Sequence, residues 1–387
     1  MQPDQQAHVA GVVRDCHERL RDLLSRTGKG DEHEQLEAIA ARLVDVEAAL
    51  HSDARRRRRR SPVHRARELS ASRITHAAHH MPQPLTVPRR YLRSSPPTPV
   101  PGITVVTPSF QQGRFLEQTV LSVVEQGYPA LEYVVRDGGS SDETLAILER
   151  HSDSLTRWES APDRGQADAI NRGFEGTTGE IMAFLNSDDL LLPGSLAYVA
   201  RYFARHPDVD VVYGHRVLID EHDRQVGAWL IPAGAERMLR WGDCIPQETL
   251  FWRRRIWEAA GARMDESFSF ALDWDLLLRF REAGARMKRV PRFIGAFRLH
   301  TDQKNSVLLD AGERESALLR ARANGHPVSP HVAHAHMQPL ILRHVFLHTV
   351  NRAWWRLPLQ RFEVPIGNPC AYASGSTLTS APESRSK

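Results

Sequence analysis

The sequence predicts an α/β fold in which a mostly parallel sheet is flanked by helices. Short β-branched segments, such as ITVVT at 103–107 and LEYVV at 131–135, alternate with segments of helical periodicity. Polar residues follow these strands directly. Such alternation is typical of parallel strands joined by right-handed crossovers. Because ligands bind at the carboxyl ends of strands in such sheets, we expect a ligand site there.

The periodicity predicts the elements one by one. Strands are expected at 103–107, 131–135, 155–160, 180–185 and 210–214. Helices are expected at 115–126, 166–174 and 194–206.

The regions on either side of these predicted strands and helices differ from them in periodicity and composition. Residues 1–53 contain heptad-spaced apolar positions, interrupted at Gly28 and Gly30, which predicts a helical hairpin or coiled-coil arm able to form a homodimer. Residues 307–369 are predicted as a helical extension, and residues 370–387 as a disordered tail.

Residues 54–100 are predicted to be a basic, proline-rich linker. They include six consecutive arginines, at 55–60, and the segment SSPPTPVPG. A solvated tether is the ordinary interpretation. Contact with an anionic membrane surface is an alternative. Few aromatic residues are present to stack on bases, so no nucleic-acid partner is expected.

The composition and the cysteine count argue against several other classes of protein. The 387 residues are 41% hydrophobic and 25% charged, which is typical of soluble globular proteins, and the net charge is +4. Three distant cysteines indicate neither a disulfide framework nor a zinc site. We see no signal-peptide pattern and no apolar run long enough for a membrane-spanning helix. We therefore expect a cytoplasmic protein, with peripheral membrane contact left open.

Acidic residues follow the predicted strands repeatedly. Asp137, Asp163, Asp188 and Asp189 all lie at such positions. Two adjacent carboxylates are costly to bury by several kcal/mol unless a cation or hydrogen bonds neutralise them. A helix N-cap needs only one acid, although a cap for the helix near Pro193 remains an alternative. Mg²⁺ or Mn²⁺ together with a diphosphate would account for the pair.

Three segments carry a family resemblance. ITVVTPSFQQGRFLEQTVLSVVEQGYPALEYVVRDGGSSDET, DRGQADAINRGF and LNSDD occur in this order. With them, residues 102–306 resemble an inverting family 2 glycosyltransferase of the GT-A fold. The resemblance implies a nucleotide-binding half at 101–192 and an acceptor half at 193–306. It also implies sugar transfer from a nucleotide-sugar, with a UDP-sugar favoured, to a saccharide or lipid-linked hydroxyl in polysaccharide, lipopolysaccharide or glycolipid synthesis.

The resemblance also assigns residues to the donor. The nucleotide-binding residues that it implies are Pro108, Ser109, Asp137, Asp163, Arg164 and Asp188. Because Asn186 replaces the first acid of the family's usual motif, Asp189 is expected to bind the Mn²⁺ or Mg²⁺ ion directly. His300, in the closing motif FRLHTDQKNS, is expected to be a further metal ligand.

The acceptor side is assigned in the same way. SFALDWDLLLRF resembles the family's Glu-Asp motif, with Leu272 in place of the glutamate, and Asp273 aligns with the catalytic base. A simple helix cap is the alternative for Asp273. Gln247, Glu248 and Trp274 are expected to contact the acceptor. Asp275 and Arg279 are predicted to form a structural pair.

Two other functions are alternatives to glycosyl transfer. A sugar-phosphate nucleotidyltransferase would need a Gly-rich phosphate loop with Arg and Lys after the first strand, which TPSFQQGRF does not provide. A non-enzymatic scaffold would act through the arm and the arginine run. The segment at 339–361 mixes Trp and Arg with apolar residues, so it is predicted either to lie at a membrane interface or to pack on the domain.

Overall fold

The computed structural model describes residues 79–300, 309–355 and 363–365. The predicted hairpin arm and its dimerisation, the arginine run, residues 301–306 of the closing motif and the predicted tail lie outside the described residues.

The described chain alternates strands and helices. The strands are β1 (His79–Gln83), β2 (Thr86–Pro88), β3 (Ile103–Ser109), β4 (Leu131–Asp137), β5 (Arg157–Ser160), β6 (Ile181–Phe184), β7 (Leu190–Leu191), β8 (Val211–Ile219), β9 (Gln225–Trp229), β10 (Phe251–Arg253), β11 (Met287–Arg298) and β12 (Glu363–Pro365). The helices are α1 (Arg89–Leu92), α2 (Gly113–Val124), α3 (Thr144–Arg150), α4 (Gln166–Phe174), α5 (Ser195–Arg205), α6 (Arg254–Ala259), α7 (Leu272–Glu282), α8 (Leu309–Asn324) and α9 (Pro330–Trp355). Each predicted strand and helix of the 103–214 region is present, with small changes at the ends.

The main sheet is mixed. Its strand order is β1-β9-β8-β10-β6-β3-β4-β5, and β11 pairs with β7 and β8. The pairs β3–β4, β3–β6 and β4–β5 are parallel, as predicted for the nucleotide half. Beyond β6 the sheet is mixed, because β10 runs antiparallel to both β6 and β8, whereas β11 runs parallel to β8. β10 has only three residues, too few for its direction to be read from periodicity.

Apolar side chains cover both faces of this sheet. Along β3, Val105 belongs to one core cluster and Val106 to the other, because successive side chains point to opposite faces. Helices α2, α3 and α5 cover the first face, and α4 and α7 cover the second. The sheet is therefore buried on both sides, and its strand ends remain as the place for polar groups.

Part of the predicted linker is ordered. Leu85, Val87 and Tyr91 are buried in a third cluster that includes Leu190 and Leu192. Residues 79–92 thus form β1, β2 and α1 on the domain instead of continuing a tether. Sequence pattern missed this because the three apolar residues depend on partners about 100 positions away.

The C-terminal helices pack on the acceptor half. Arg322 of α8 donates to Asp275 Oδ1 (2.7 Å), and Arg279 donates to Asp275 Oδ2 (2.8 Å), which confirms the predicted pair and adds a partner. In α9, Leu340 is buried, whereas Leu342 is exposed. Neither α9 nor any other described helix has the length and apolar content needed to cross a bilayer.

Glu132 ties the start of β4 to its neighbours. Its carboxylate accepts hydrogen bonds from the Thr104 hydroxyl (2.7 Å) and from the backbone N–H groups of Thr178 (2.8 Å) and Gly179 (3.0 Å). These bonds lower its pKa to about 2, against the opposing effect of burial. The stabilisation they provide is present above the ordinary glutamate pKa and is lost as the pH falls toward 2.

We expect Glu132→Gln to lower the free energy of unfolding at pH 7 by about 1 kcal/mol, after allowance for solvent screening of a partly exposed group. Since the variant has no charge to lose, its difference from the parent should shrink between pH 5 and pH 2. Urea denaturation at several pH values measures this, with Glu143→Gln as a control. An equal difference at pH 7 and pH 3 would contradict the assigned role.

Candidate active site

A cavity of about 810 Å³ opens at the carboxyl ends of β3 and β6. The nucleotide half contributes Pro108, Ser109, Phe110, Asp163 and the segment from Asn186 to Asp189. The acceptor half contributes Arg216, Asp243, Gln247, Glu248, Asp273 and Trp274. Most of the residues predicted for donor, metal and acceptor therefore line one cavity, although they come from distant parts of the chain.

The nucleotide-half wall combines an aromatic ring with unpaired polar atoms. Phe110 is 62% exposed at the cavity, and the Ser109 hydroxyl is buried without a hydrogen-bond partner among the described residues. Gly138 lies behind them, and a Cβ there would stand 3.0 Å from Asp163 Oδ2. Glycine at 138 therefore lets Asp163 and Phe110 approach each other. This wall offers a flat apolar surface beside hydrogen-bonding groups.

Two predicted nucleotide ligands are not among the residues lining this cavity. The Asp137 carboxylate accepts hydrogen bonds from the Ser140 backbone N–H (2.8 Å) and from the hydroxyls of Ser140 and Ser160 (2.6 Å each). It therefore holds the turn after β4. Arg164 is exposed and pairs with Asp168 (2.8 Å). A direct ligand role for Asp137 or Arg164 stays a prediction, and both side chains would have to exchange these partners.

Asp188 and Asp189, the acid pair, accept hydrogen bonds from Arg298 of β11. The backbone N–H of Arg298 donates to Asp189 Oδ1 (3.0 Å), and the Arg298 Nε donates to the backbone oxygen of Asp188 (2.8 Å). Asp189 is only 1% exposed. Burial raises its pKa well above the ordinary value, and the charges of Asp188 and Glu248 raise it further. A cation bound at Asp189 would offset this electrostatic cost.

His300 contacts the other acid of the pair. Its Nε2 lies 3.0 Å from Asp188 Oδ2, and its Nδ1 is buried without a hydrogen-bond partner among the described residues. A direct metal bond from His300 stays a prediction, since the nitrogen nearest the acids is already engaged. In the described ranges, no three His, Cys, Asp or Glu side chains form a metal cluster. The residues do fit a cation held by one or two carboxylates plus a phosphate ligand.

Arg216 was not predicted from the sequence. Its Nε donates to Glu248 Oε1 (2.8 Å), its Nη2 donates to Glu248 Oε2 (2.6 Å), and its Cζ lies 4.4 Å from the ring centroid of Phe297. Both Glu248 oxygens bind Arg216, so contact between Glu248 and the acceptor stays a prediction, although Glu248 lines the cavity. The signal available in the sequence was a single arginine within the apolar strand VVYGHRVLI.

Gln247 and Trp274, the two other predicted acceptor residues, differ in whether they are free to contact a ligand. Gln247 donates through Nε2 to the Phe184 carbonyl (2.6 Å), and its Oε1 is buried without a partner in the described chain. Trp274 is 1% exposed and donates through Nε1 to the Leu239 carbonyl (2.7 Å). Its ring belongs to the core, so stacking of Trp274 on a sugar is not supported. Trp229, which is partly exposed at the cavity, is better placed for that contact.

Asp273 lies in the first turn of α7 and faces the cavity. The Glu315 carboxylate accepts from the backbone N–H groups of Phe270 (2.9 Å) and Ala271 (2.8 Å), just before this helix. Asp273 Oδ1 itself accepts from the Trp274 backbone N–H (2.9 Å), so this carboxylate has a capping contact in the first turn as well as a position at the cavity. Burial raises the pKa of Asp273.

A second carboxylate, Asp243, lines the same cavity. By surface area Asp243 is exposed at the cavity wall, although protein atoms surround much of its carboxyl group. This desolvation raises its pKa well above the ordinary value, and the charge of Asp273 raises it further. The two carboxyl groups therefore interact electrostatically. Sequence reasoning missed Asp243 because it lies in an irregular segment, two residues before IPQETLFWRR at 245–254, which resembles the family's acceptor-side segment.

Comparisons with known proteins agree with this geometry. The model of the family described as "Glycosyl transferase family 2" matches residues 104–260. An uncharacterized glycosyltransferase of Mycobacterium tuberculosis is 30% identical over 188 residues, which cover 47% of this chain and 70% of that protein. The chain belongs to glycosyltransferase family 2. It is accordingly a transferase, and the mixed sheet with flanking helices is the GT-A architecture that the resemblance implied.

Other relatives of this family 2 glycosyltransferase are similarly distant. A PGL/p-HBAD biosynthesis glycosyltransferase of Mycobacterium bovis is 30% identical over 183 residues, covering 46% of this chain and 69% of that protein. Among solved structures, S. aureus TarS 1-349 in complex with UDP-GlcNAc has a TM-score of 0.47 and 16% identity, covering 67% of this chain and 77% of that one.

Proposed function

We propose that this family 2 glycosyltransferase moves a sugar from a nucleotide-sugar to a hydroxyl acceptor, with inversion at the anomeric carbon. The observation that carries this proposal is the shared cavity. Asp188 and Asp189 from the nucleotide half and Asp273 from the acceptor half all line it. A diphosphate and an attacking hydroxyl could thus be bound at opposite ends of one sugar.

The donor would lie against the nucleotide half. The Phe110 ring offers a planar surface for the base, and the Ser109 hydroxyl and Asp163 offer polar contacts. We favour a UDP-sugar, as the family resemblance implies. Asp163 Oδ1 already accepts from the Gly165 N–H (2.8 Å), so its second oxygen is the one available to a ligand.

A divalent cation would be held by Asp189, supported by Asp188, together with the donor diphosphate. The chemical fit rests on the buried Asp189 carboxylate, whose Oδ1 accepts one N–H bond while Oδ2 has no partner in the described chain. When bound, Mn²⁺ or Mg²⁺ supplies Lewis-acid stabilisation of the departing diphosphate. His300 would keep Asp188 oriented through the 3.0 Å contact.

Asp273 would take the proton of the acceptor hydroxyl as that oxygen attacks the anomeric carbon. Its raised pKa makes the carboxylate a stronger base than an ordinary aspartate. A single displacement with one base inverts the anomeric centre, whereas retention would require an enzymic nucleophile and a second displacement. The unpaired Gln247 Oε1 and the partly exposed Trp229 are placed to orient the acceptor.

The family resemblance implies the class of acceptor. We propose a saccharide or lipid-linked acceptor, in polysaccharide, lipopolysaccharide or glycolipid synthesis. The reaction would take place in the cytoplasm, with peripheral membrane contact. The exposed Leu342 and Phe346 of α9 support such contact, since apolar side chains can enter the headgroup region.

Calorimetric titration of the full chain with UDP, dTDP and GDP, each with Mn²⁺ or with EDTA, tests the proposal. We expect one nucleotide to bind well only with Mn²⁺, and that nucleotide identifies the donor class. Absence of metal-dependent binding for all three would contradict the proposed donor site.

The same titration tests the aromatic wall. We expect Phe110→Ala to weaken binding of that nucleotide about tenfold, because base–aromatic stacking contributes about 1–3 kcal/mol. Leu145→Ala, at an exposed position outside the cavity, is the matched control and should bind as the parent does. Unchanged affinity in Phe110→Ala would place the base elsewhere in the cavity.

A further inference from the structure

A second cavity, of about 290 Å³, lies between α1, α5 and β11. Its walls include Arg90, Tyr91, Ser94, Tyr198, Arg201 and Arg292. None of these residues lines the candidate active site. We call this cavity the arginine pocket.

The arginine pocket is strongly and unusually positive. Arg90, Arg201 and Arg292 converge on it, and none of the three forms an ion pair within the described ranges. Most other arginines around the active site have acidic partners, as Arg216 has Glu248 (2.6 Å). Three uncompensated guanidinium groups around a small cavity create a field that attracts anions.

Arg292 forms the buried part of this pocket. It is 5% exposed, and its Cζ lies 3.8 Å from the ring centroid of Tyr91 and 4.7 Å from that of Tyr198. Its Nη1 donates to Ser94 Oγ (3.1 Å) and its Nη2 donates to the Pro193 carbonyl (2.8 Å). Its Nε is buried without a hydrogen-bond partner in the described chain.

The charge of Arg292 is therefore held in place without a counter-ion. Burial lowers its pKa, Tyr91 and Tyr198 oppose this, and the charges of Arg201 and Arg90 add to it, so that the resulting pKa is about 10. The guanidinium is still protonated at neutral pH. A buried charge without a charged partner destabilises a fold, and a bound anion would relieve that cost.

The arginine pocket is separate from the donor site. Arg292 and Arg298 lie on the same strand, six residues apart. At about 3.3 Å per residue their Cα atoms are roughly 20 Å apart along the strand. Since Arg298 contacts the acid pair, an anion at Arg292 cannot be the donor diphosphate bound there.

We propose that the arginine pocket binds a phosphate group. Arginine forks match phosphate oxygens in geometry and charge, and the tyrosine rings hold the Arg292 fork in one orientation. The Tyr198 hydroxyl adds an uncharged donor at the same cavity. The phosphate is either part of a lipid headgroup or a soluble phosphate. Arg89 and Arg93, which lie within three residues of Arg90 in the sequence, would add attraction to an anionic lipid surface.

Two double variants of the full chain test this proposal. Arg90→Gln with Arg201→Gln removes two charges from the pocket, and both side chains reach solvent, so the fold should be retained. Arg205→Gln with Arg281→Gln removes two exposed charges that do not line the pocket and is the matched control. Each protein is measured by co-sedimentation with phosphatidylglycerol–phosphatidylcholine vesicles, and by calorimetric titration with inorganic phosphate in EDTA.

If the phosphate belongs to a lipid headgroup, vesicle binding should fall about 25-fold in the pocket variant, because each arginine contributes roughly fivefold. The control variant should show a smaller loss. A soluble ligand predicts that inorganic phosphate binding disappears in the pocket variant alone, while both variants sediment alike. If the two variants behave alike in both assays, the positive charge is a general surface property and the proposal is overturned.

Discussion

Asp273→Asn is expected to lower kcat by at least about 100-fold, and up to about 10,000-fold, while the nucleotide binds as tightly as in the parent. Asparagine keeps the shape of the side chain but cannot take the acceptor proton. The donor site should be unaffected, because the acids proposed to bind the metal lie in the other half of the cavity. Initial-rate kinetics and nucleotide calorimetry on the same preparation measure both quantities.

Asp243→Asn is the matched control for this result, since it removes the other carboxyl group of the acceptor half. We expect a smaller loss of kcat. We also expect the acid limb of the pH–rate profile to stay close to that of the parent, since the charge of Asp273 raises the pKa of Asp243 and Asp243 is therefore still neutral when Asp273 ionises. If Asp243→Asn abolished activity while Asp273→Asn retained it, the base would be Asp243.

Asp189→Asn is expected to have opposite effects on activity and stability. Activity and Mn²⁺-dependent nucleotide binding should fall at least about 100-fold, because the proposed metal ligand is lost. In EDTA the variant should unfold at a higher temperature than the parent. It removes a buried carboxylate that lies beside Asp188 and Glu248, and its amide oxygen can still accept from the Arg298 N–H.

Thermal unfolding in EDTA, and in Mn²⁺ plus nucleotide, measures the effect on stability. The parent should be stabilised by the ligands, whereas the variant should not respond to them. Asp153→Asn, at an exposed position outside the cavity, is the control and should respond as the parent does. A variant that is less stable in EDTA would show that Asp189 is satisfied by the protein without a cation.

Local pattern predicted the elements of the nucleotide half well. The predicted helix at 166–174 has the observed bounds of α4, and β3 and β4 each extend two residues beyond the prediction. These elements have their own periodicity and end at glycine or polar residues, so neighbouring residues are enough to define them. The acceptor half was predicted less well, because β10 is short and β11 pairs with strands far away in sequence.

The sequence also predicted which residues would approach the site, but less well what each could do there. Asp137 and Asp163 both follow strands, yet only Asp163 lines the cavity, whereas Ser140 and Ser160 engage Asp137. Glu248 was expected at the acceptor, yet Arg216 takes both of its oxygens. Ser160 and Arg216, which lie outside the quoted motifs, contributed to these outcomes, together with Ser140 inside the first motif.

By itself, the sequence determined the α/β class, the order of the strands that end at the site, and the concentration of acids after them. These follow from side-chain periodicity and strand direction, which are local properties of the chain. Only the tertiary structure decided which carboxylates remain available to a ligand, that Asp243 lies near Asp273, and that three arginines surround a second cavity. Such properties depend on contacts between residues far apart in sequence, where burial and charge act together.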